Sequence, residues 1–229
     1  KDENSDLNVA LRSMDAAEID RLVRVLDLSP ALEEQLNSME VQVAGNLNFD
    51  GMVKGNLTDP IVDGKASLDS IALRGRELGR VTTDVFVSPD GVDLKNGKLV
   101  DGSGGNAEFA VNMPRTGSNN VAIKATLTNV NAGNLLAALP ITLPEQIRDL
   151  NGQTSGTVDI TGLPNESRGE VNLLAKKGII AGQVFDGLNV KAVFNGTTID
   201  LQQADMRIGA GQLTAKGTYD RAAGNFNFS

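Results

Sequence analysis

The residue types best suited to catalysis are scarce in this chain. It contains no cysteine and no histidine, so it lacks the side chains that most often serve as nucleophilic thiolate, general base or zinc ligand. Asp and Glu are plentiful, but no two of them are placed as a catalytic carboxylate pair. We therefore expect a protein that is not an enzyme, with no cofactor and no metal.

Four short segments suggest ligand binding, and each has a simpler structural interpretation. Gly102-Ser103-Gly104-Gly105 and Gly209-Ala210-Gly211 resemble phosphate loops in glycine content, but neither a helix pattern nor a Lys-Ser/Thr pair follows them. We interpret both as hairpin turns. Asp101 could begin a calcium turn, but Ile208 stands at the equivalent place before the second motif. Lys176-Lys177 is interpreted as the solvated end of a strand.

Charge and hydropathy exclude further classes of function. The formal net charge is −8 with a pI near 4.6, which disfavours nucleic acid and anionic membrane surfaces as general partners. No apolar run reaches the roughly 20 residues that a spanning helix needs. The chain begins abruptly at Lys1 and ends in strand-like sequence at Ser229, which favours a fragment of a longer parent protein.

The clearest sign of organisation is a segment that occurs twice. Residues 91–104 and 198–211 align at an offset of 107 positions (199 − 92), with Val92-Asp93-Leu94 matching Ile199-Asp200-Leu201. The same offset carries the alternating run 81–87 onto 188–194. Such internal repetition indicates tandem copies of one structural unit. We predict two modules, residues 1–114 and 119–229, separated by the polar segment 115–119.

Periodicity predicts mainly strands with a few short helices. Apolar and polar residues alternate along about a dozen segments, with glycines such as Gly45, Gly51 and Gly55 interpreted as breaks between strands. Helical spacing appears in an insert at 15–38, which Asp15 opens as a cap, and again at 132–150 after Asn131. Because helices do not alternate with the strands, an antiparallel sheet of the α+β class is favoured over a parallel one.

One longer pattern resembles a known family. Leu150 to Pro164 has the form Leu-Asn-Gly-x-x-x-Gly-x-x-x-x-x-Gly-x-Pro, after a helical pair and before a strand, a long alternating run, an Asp-Leu strand and a Gly-x-Gly turn. This arrangement, in two copies covering nearly the whole chain, resembles the AsmA-like superfamily, including TamB-type proteins of Gram-negative envelopes. The insert 15–38 is longer than in a plain repeat of that family, so it is expected to plug or flank the groove.

The resemblance implies both a fold and a function. It implies a repeating β-groove, a curled antiparallel sheet with an apolar concave face and amphipathic helices at or on that face. It implies a periplasmic segment, tethered to the inner membrane by a part outside this sequence, that serves outer-membrane biogenesis and phospholipid transport. The implied partners are phospholipid acyl chains, neighbouring modules of the same parent chain and outer-membrane assembly proteins.

A sheet with one apolar face must cover it, because buried apolar area is worth roughly 25 cal/mol per Å². If the helices cover the whole face, the chain is an ordinary α+β domain, whereas a bare strip suits an acyl chain. The candidate lipid-binding residues are Val85, Val87, Leu94, Phe109, Val111, Val190, Ala192, Phe194, Ile199 and Leu201.

Two other classes of function stay open at this stage. A surface adhesin or structural repeat protein would bind other proteins and have no lipid role. A glycan-binding or glycan-cleaving β-solenoid is less favoured, because the chain has no Trp for stacking on sugars.

Overall fold

The chain is mainly β in the part that the computed structural model describes, residues 5–18, 42–56, 59–73, 75–115, 120–138, 149–163 and 166–228. Fourteen strands and one complete helix occur in these residues. They are β1 (Ser5–Ser13), β2 (Gln42–Asn56), β3 (Asp59–Leu73), β4 (Arg76–Ser88), β5 (Gly91–Val100), β6 (Asn106–Pro114), β7 (Val121–Asn131), α1 (Ala132–Ala138), β8 (Asn151–Leu163), β9 (Ser167–Ile180), β10 (Gln183–Phe185), β11 (Gly187–Gly196), β12 (Thr198–Ile208), β13 (Gly211–Asp220) and β14 (Asn225–Phe228). No helix among these residues has the length and apolarity that a membrane crossing requires.

The chain separates into two compact units, residues 1–102 with 108–118, and residues 103–107 with 119–229. In the first unit the strands follow chain order from β1 to β6. In the second the order is β7-β8-β9-β11-β12-β13-β14, with β10 paired to β9. The recorded strand registers are all antiparallel. The prediction of an antiparallel, mainly β fold is thus confirmed.

Helices occur where asparagine or aspartate can cap them. The Gly133 N–H donates to Asn131 Oδ1 at 2.8 Å, which satisfies a free donor in the first turn of α1. At the start of the predicted insert, the Ala17 N–H donates to Asp15 Oδ1 at 3.0 Å. The rest of that insert and residues 139–148 lie outside the described residues.

Several glycines do not break strands, contrary to expectation. β2 runs from Gln42 to Asn56 and contains Gly45, Gly51 and Gly55, so the interpretation of these glycines as breaks between strands is wrong. At Gly51 the reason is packing, because a Cβ on Gly51, or on its register partner Gly64, would lie 2.7 Å from Phe49 Cζ. Glycine here leaves room for an aromatic ring above the sheet. The Gly209-Ala210 turn between β12 and β13, by contrast, is as predicted.

The interpretation of Lys176-Lys177 as a strand end is also wrong. β9 continues to Ile180, so the two lysines lie in its interior. Alternation along the sequence could not predict this, because two adjacent lysines interrupt the pattern in the same way at a strand end and at an irregular position inside a strand.

Register separates two chemically different faces in each unit. On β3, β4 and β5 of the first unit, Val62 pairs with Val87 and Val87 with Val92. One residue along, Asp63 pairs with Phe86 and Phe86 with Asp93. Because side chains alternate along a strand, these rows lie on opposite sides, which we call the apolar face and the polar face.

The duplicated segments have the same register. Val85 pairs with Leu94 and Val87 with Val92 in the β4–β5 hairpin. The residues at an offset of 107 (192 − 85), Ala192 with Leu201 and Phe194 with Ile199, pair in the β11–β12 hairpin. Both hairpins also contain a register shift near the middle. Duplication of the entire modules stays a prediction.

Candidate functional site

The candidate residues of the first unit share the apolar face. Val85 and Val87 lie on β4, and Leu94 on β5 is the register partner of Val85. On β6, Phe109 lies over Gly97 of β5, since a Cβ on that glycine would be 2.4 Å from Phe109 Cε2. Val111 follows two residues later on the same side. All five side chains are half-buried, so each offers apolar surface to a ligand.

The candidate residues of the second unit also share one face, with different exposure. Val190, Ala192 and Phe194 lie on β11, and Ile199 and Leu201 lie opposite on β12. Ala192 and Phe194 are 7% and 5% exposed, so both belong to the core. Val190, Ile199 and Leu201 are half-buried. Val190 also lines a cavity that Leu136 of α1 helps to cover, so Ile199 and Leu201 offer the accessible part of this face.

The apolar face extends beyond the residues that the sequence suggested. It includes side chains of β1 to β3 in the first unit and of β13 and β14 in the second, where the Tyr219 and Phe226 rings stack at 4.3 Å. Leu7 and Leu213 are about half exposed, at 49% and 55%. The same alternation that marked the candidates could have found the others, namely Leu7, Val9, Leu11, Leu47, Phe49, Val53, Val62, Ala66, Leu68, Leu213, Tyr219 and Phe226.

Part of the second unit's apolar face is covered. Leu136 of α1 and Leu150 enclose, with residues of β8, β9 and β11, a cavity of about 60 Å³. Thr154 lines it, is 2% exposed and has a hydroxyl without a hydrogen-bond partner among the described residues. Beside the cavity, Phe185 packs with Ala175 and Leu188 in a buried cluster. The open part of this face is therefore on β12 to β14.

The polar face of the first unit carries alternating charges. Asp50 pairs in register with Lys65, Lys65 with Asp84, and Asp84 with Lys95, and the Arg12 guanidinium bonds to Asp50 at 2.6 Å. Such exposed pairs contribute little stability, about 0–1 kcal/mol each. They mark this face as the one that solvent covers.

The Asp69 carboxylate is hydrogen-bonded to Asn46 and paired with Arg80. The amide groups of Asn46, side chain first and then backbone, donate to the Asp69 carboxylate and lower its pKa, with Arg80 at 3.2 Å acting in the same direction. Among the described residues, no three acidic side chains converge as a metal site requires.

Comparisons with known proteins add no relative. No protein-family model, curated protein or solved structure matches the chain.

Proposed function

We propose that this chain is a non-enzymatic segment of an AsmA-like envelope protein that binds phospholipid acyl chains on its apolar face. Its place is the periplasm, where it takes part in outer-membrane biogenesis and in phospholipid transport between the inner and outer membranes. The observation that supports this most directly is that rows of apolar side chains cross neighbouring strands and stay half-buried.

The geometry suits a chain-like ligand. Neighbouring strands lie about 4.8 Å apart, so a ligand crossing three strands meets a new apolar side chain at each step, as along the half-buried Val53, Val62 and Val87. Each methylene group that leaves water contributes about 0.8 kcal/mol. A row of such side chains therefore binds an acyl chain by removing many of its methylene groups from water, and it needs no polar group at a fixed position.

Neighbouring modules are the second proposed partner. β1 pairs with β2 along one side only, and no described strand pairs with its other side. A row of free backbone N–H and C=O groups on such an edge favours pairing with another strand. Continuation of the sheet into further modules would extend the rows of the apolar face into one repeating β-groove, bordered by the predicted helices at 15–38 and 132–150.

Adjacent residues of β4 provide a matched test. Val85 lies on the apolar face and Phe86 on the polar face. We expect Val85→Asp to remove most of the phospholipid that copurifies with the gently purified protein, measured by mass spectrometry, whereas Phe86→Asp retains it. Val85→Trp, which fills the row without adding charge, is expected to reduce lipid binding in a protein that still folds.

Two results would contradict the proposal. It fails if no preparation of the wild-type chain contains lipid and no fluorescent fatty acid binds. It also fails if Val85→Trp and Phe86→Asp have equal effects on lipid content, because the two faces would then not differ in function.

A further inference from the structure

Two consecutive lysines of β9 lie at a β-bulge. Thr154 pairs with Ala175 and Gly152 with Gly178, so Gln153 alone on β8 faces both Lys176 and Lys177 on β9. On its other side β9 pairs with β11 up to Ala175 and with β10 from Gly178. The lysines thus lie where β9 changes partner.

The bulge changes where the lysine side chains lie. In a regular strand consecutive side chains point to opposite faces, but an extra residue in one strand disrupts this alternation and redirects a side chain. Both Lys176 and Lys177 here line one concavity of about 360 Å³. Two positive charges are thereby concentrated at one place on a chain whose net charge is −8.

Apart from Ile179 and two glycines, the rest of the lining consists of uncharged polar residues, with no carboxylate among the described residues. Ser103, Asn131, Asn151 and Gln153 contribute a hydroxyl and three amides. The Asn131 Nδ2 group donates to Asn151 Oδ1 at 2.7 Å, which leaves the Asn151 amide nitrogen as a donor for a ligand.

The carboxylate of Asp149, two residues before Asn151, is hydrogen-bonded outside the concavity. Asp149 accepts the N–H groups of Ala181 and Gly182, each at 2.8 Å, and so is held at the β9–β10 turn. Three lysines of the chain lie beside carboxylates, Lys65 at Asp84, Lys95 at Asp93 and Lys124 at Asp159. Lys176 and Lys177 have no ion-pair partner among the described residues.

We infer that this concavity binds a phosphate group. A phosphate oxyanion relieves the repulsion between the two ammonium groups and accepts several charge-assisted and amide hydrogen bonds at once. The phosphate belongs either to a phospholipid headgroup or to a free phosphate. The site does not depend on the proposed acyl-chain function, because it uses polar-face residues only.

An apolar rim distinguishes the two sources. Ile179, which lines the concavity, and its register partner Val184 are 42% and 54% exposed. A lipid headgroup brings hydrocarbon to this rim, whereas a free phosphate leaves it untouched. Substitution of both residues by serine therefore weakens binding of a lipid and spares binding of inorganic phosphate.

The first experiment titrates the chain with inorganic phosphate and follows backbone amide chemical shifts. We expect shifts at residues 151–153 and 176–178, and a dissociation constant at least about tenfold larger for Lys176→Gln/Lys177→Gln. The matched control, Lys191→Gln/Lys216→Gln, removes the same charge from two exposed lysines of the same unit and is expected to bind like the wild type. Gln153→Glu, which places a carboxylate between the lysines, is expected to abolish binding.

The second experiment measures cosedimentation with phosphatidylcholine vesicles containing phosphatidylglycerol. Loss of vesicle binding in Ile179→Ser/Val184→Ser, with phosphate binding retained, assigns the site to a headgroup. Phosphate binding that depends on the lysines, without lysine-dependent vesicle binding, assigns it to free phosphate. The inference is overturned if the Lys176/Lys177 and Lys191/Lys216 variants behave alike toward both probes.

Discussion

The ring of Phe109 lies over Gly97, one strand away on the apolar face of the first unit. A methyl group on Gly97 would stand 2.4 Å from Phe109 Cε2, much closer than carbon atoms approach without strain. The absence of a side chain at Gly97 therefore leaves the space that the Phe109 ring occupies. Phe185 over Gly178 and Phe49 over Gly64 repeat this relationship, with Cβ-to-ring distances of 2.6 and 2.7 Å.

Gly97→Ala is accordingly expected to destabilise the fold. The ring must move away from the sheet, at a cost of about 1–3 kcal/mol in the free energy of unfolding, measured by urea denaturation. Gly102→Ala is the control, because a Cβ at Gly102 meets nothing within 4 Å. In a Phe109→Leu background the cost of Gly97→Ala should shrink. Equal costs in both backgrounds would show that the ring is not the obstacle.

Thr154→Val is expected to stabilise the second unit. The Thr154 hydroxyl is buried without a hydrogen-bond partner in the described part of the chain, so its replacement by a methyl group removes an uncompensated desolvation cost of about 1 kcal/mol or more. The contrasting variant is Thr83→Val, because the buried Thr83 hydroxyl donates to the Lys95 carbonyl at 3.1 Å. Urea unfolding should move the two midpoints in opposite directions. A loss of stability in Thr154→Val contradicts the absence of a partner.

Asp149 is expected to give the second unit a pH-dependent contribution to stability. The N–H groups of Gly182 and then Ala181 lower its pKa below the ordinary 3.8. The carboxylate therefore stabilises the folded chain above pH 3.8 and loses this effect as the pH falls through its lower folded pKa. Asp149→Asn should be less stable than the wild type near neutral pH, and the difference should narrow below pH 3.8.

The measurement for Asp149 is urea unfolding at several pH values. Asp200→Asn serves as the control, because no hydrogen bond or ion pair of the Asp200 side chain is found in the described residues. A difference between Asp149→Asn and wild type that stays constant down to about pH 2.5 would contradict the proposed role of the carboxylate.

Lys65→Glu is expected to destabilise the first unit through its polar face. The new carboxylate lies between Asp50 and Asp84, its register partners on either side, and like charges directly opposite each other repel by several tenths of a kcal/mol per pair. The free energy of unfolding should fall by about 1 kcal/mol at low salt and recover at high salt. Lys98→Glu gives the same change in net charge beside Thr82 and should cost less. Equal losses in the two variants would point to net charge alone.

Much of the fold could be predicted because its signals are local. Alternation identified the strands that carry Val85, Val87 and Leu94, and the turn residues around Pro89 and Ala210 marked two hairpins. Asn131, as a capping residue, predicted the start of α1. Each of these depends on neighbours within a few positions, which a linear sequence displays.

The errors came from residues whose role depends on distant partners. Gly51 looks like a strand break until Phe49 and Gly64 are placed beside it. Ala192 and Phe194 look like accessible lining until the register with Ile199 and Leu201 and the burial of β11 are known. Lys176 and Lys177 look like a solvated end until the β-bulge between β8 and β9 is known to place both opposite Gln153.

The sequence by itself determined that the chain is antiparallel and mainly β, with apolar residues on one side of each strand, because side-chain direction follows position along a strand with period two. Only the tertiary structure decided which apolar side chains are buried, which glycines leave space for an aromatic ring and which lysines line the same concavity. These depend on cross-strand register and on bulges, and a shift of one residue there moves a side chain to the other face.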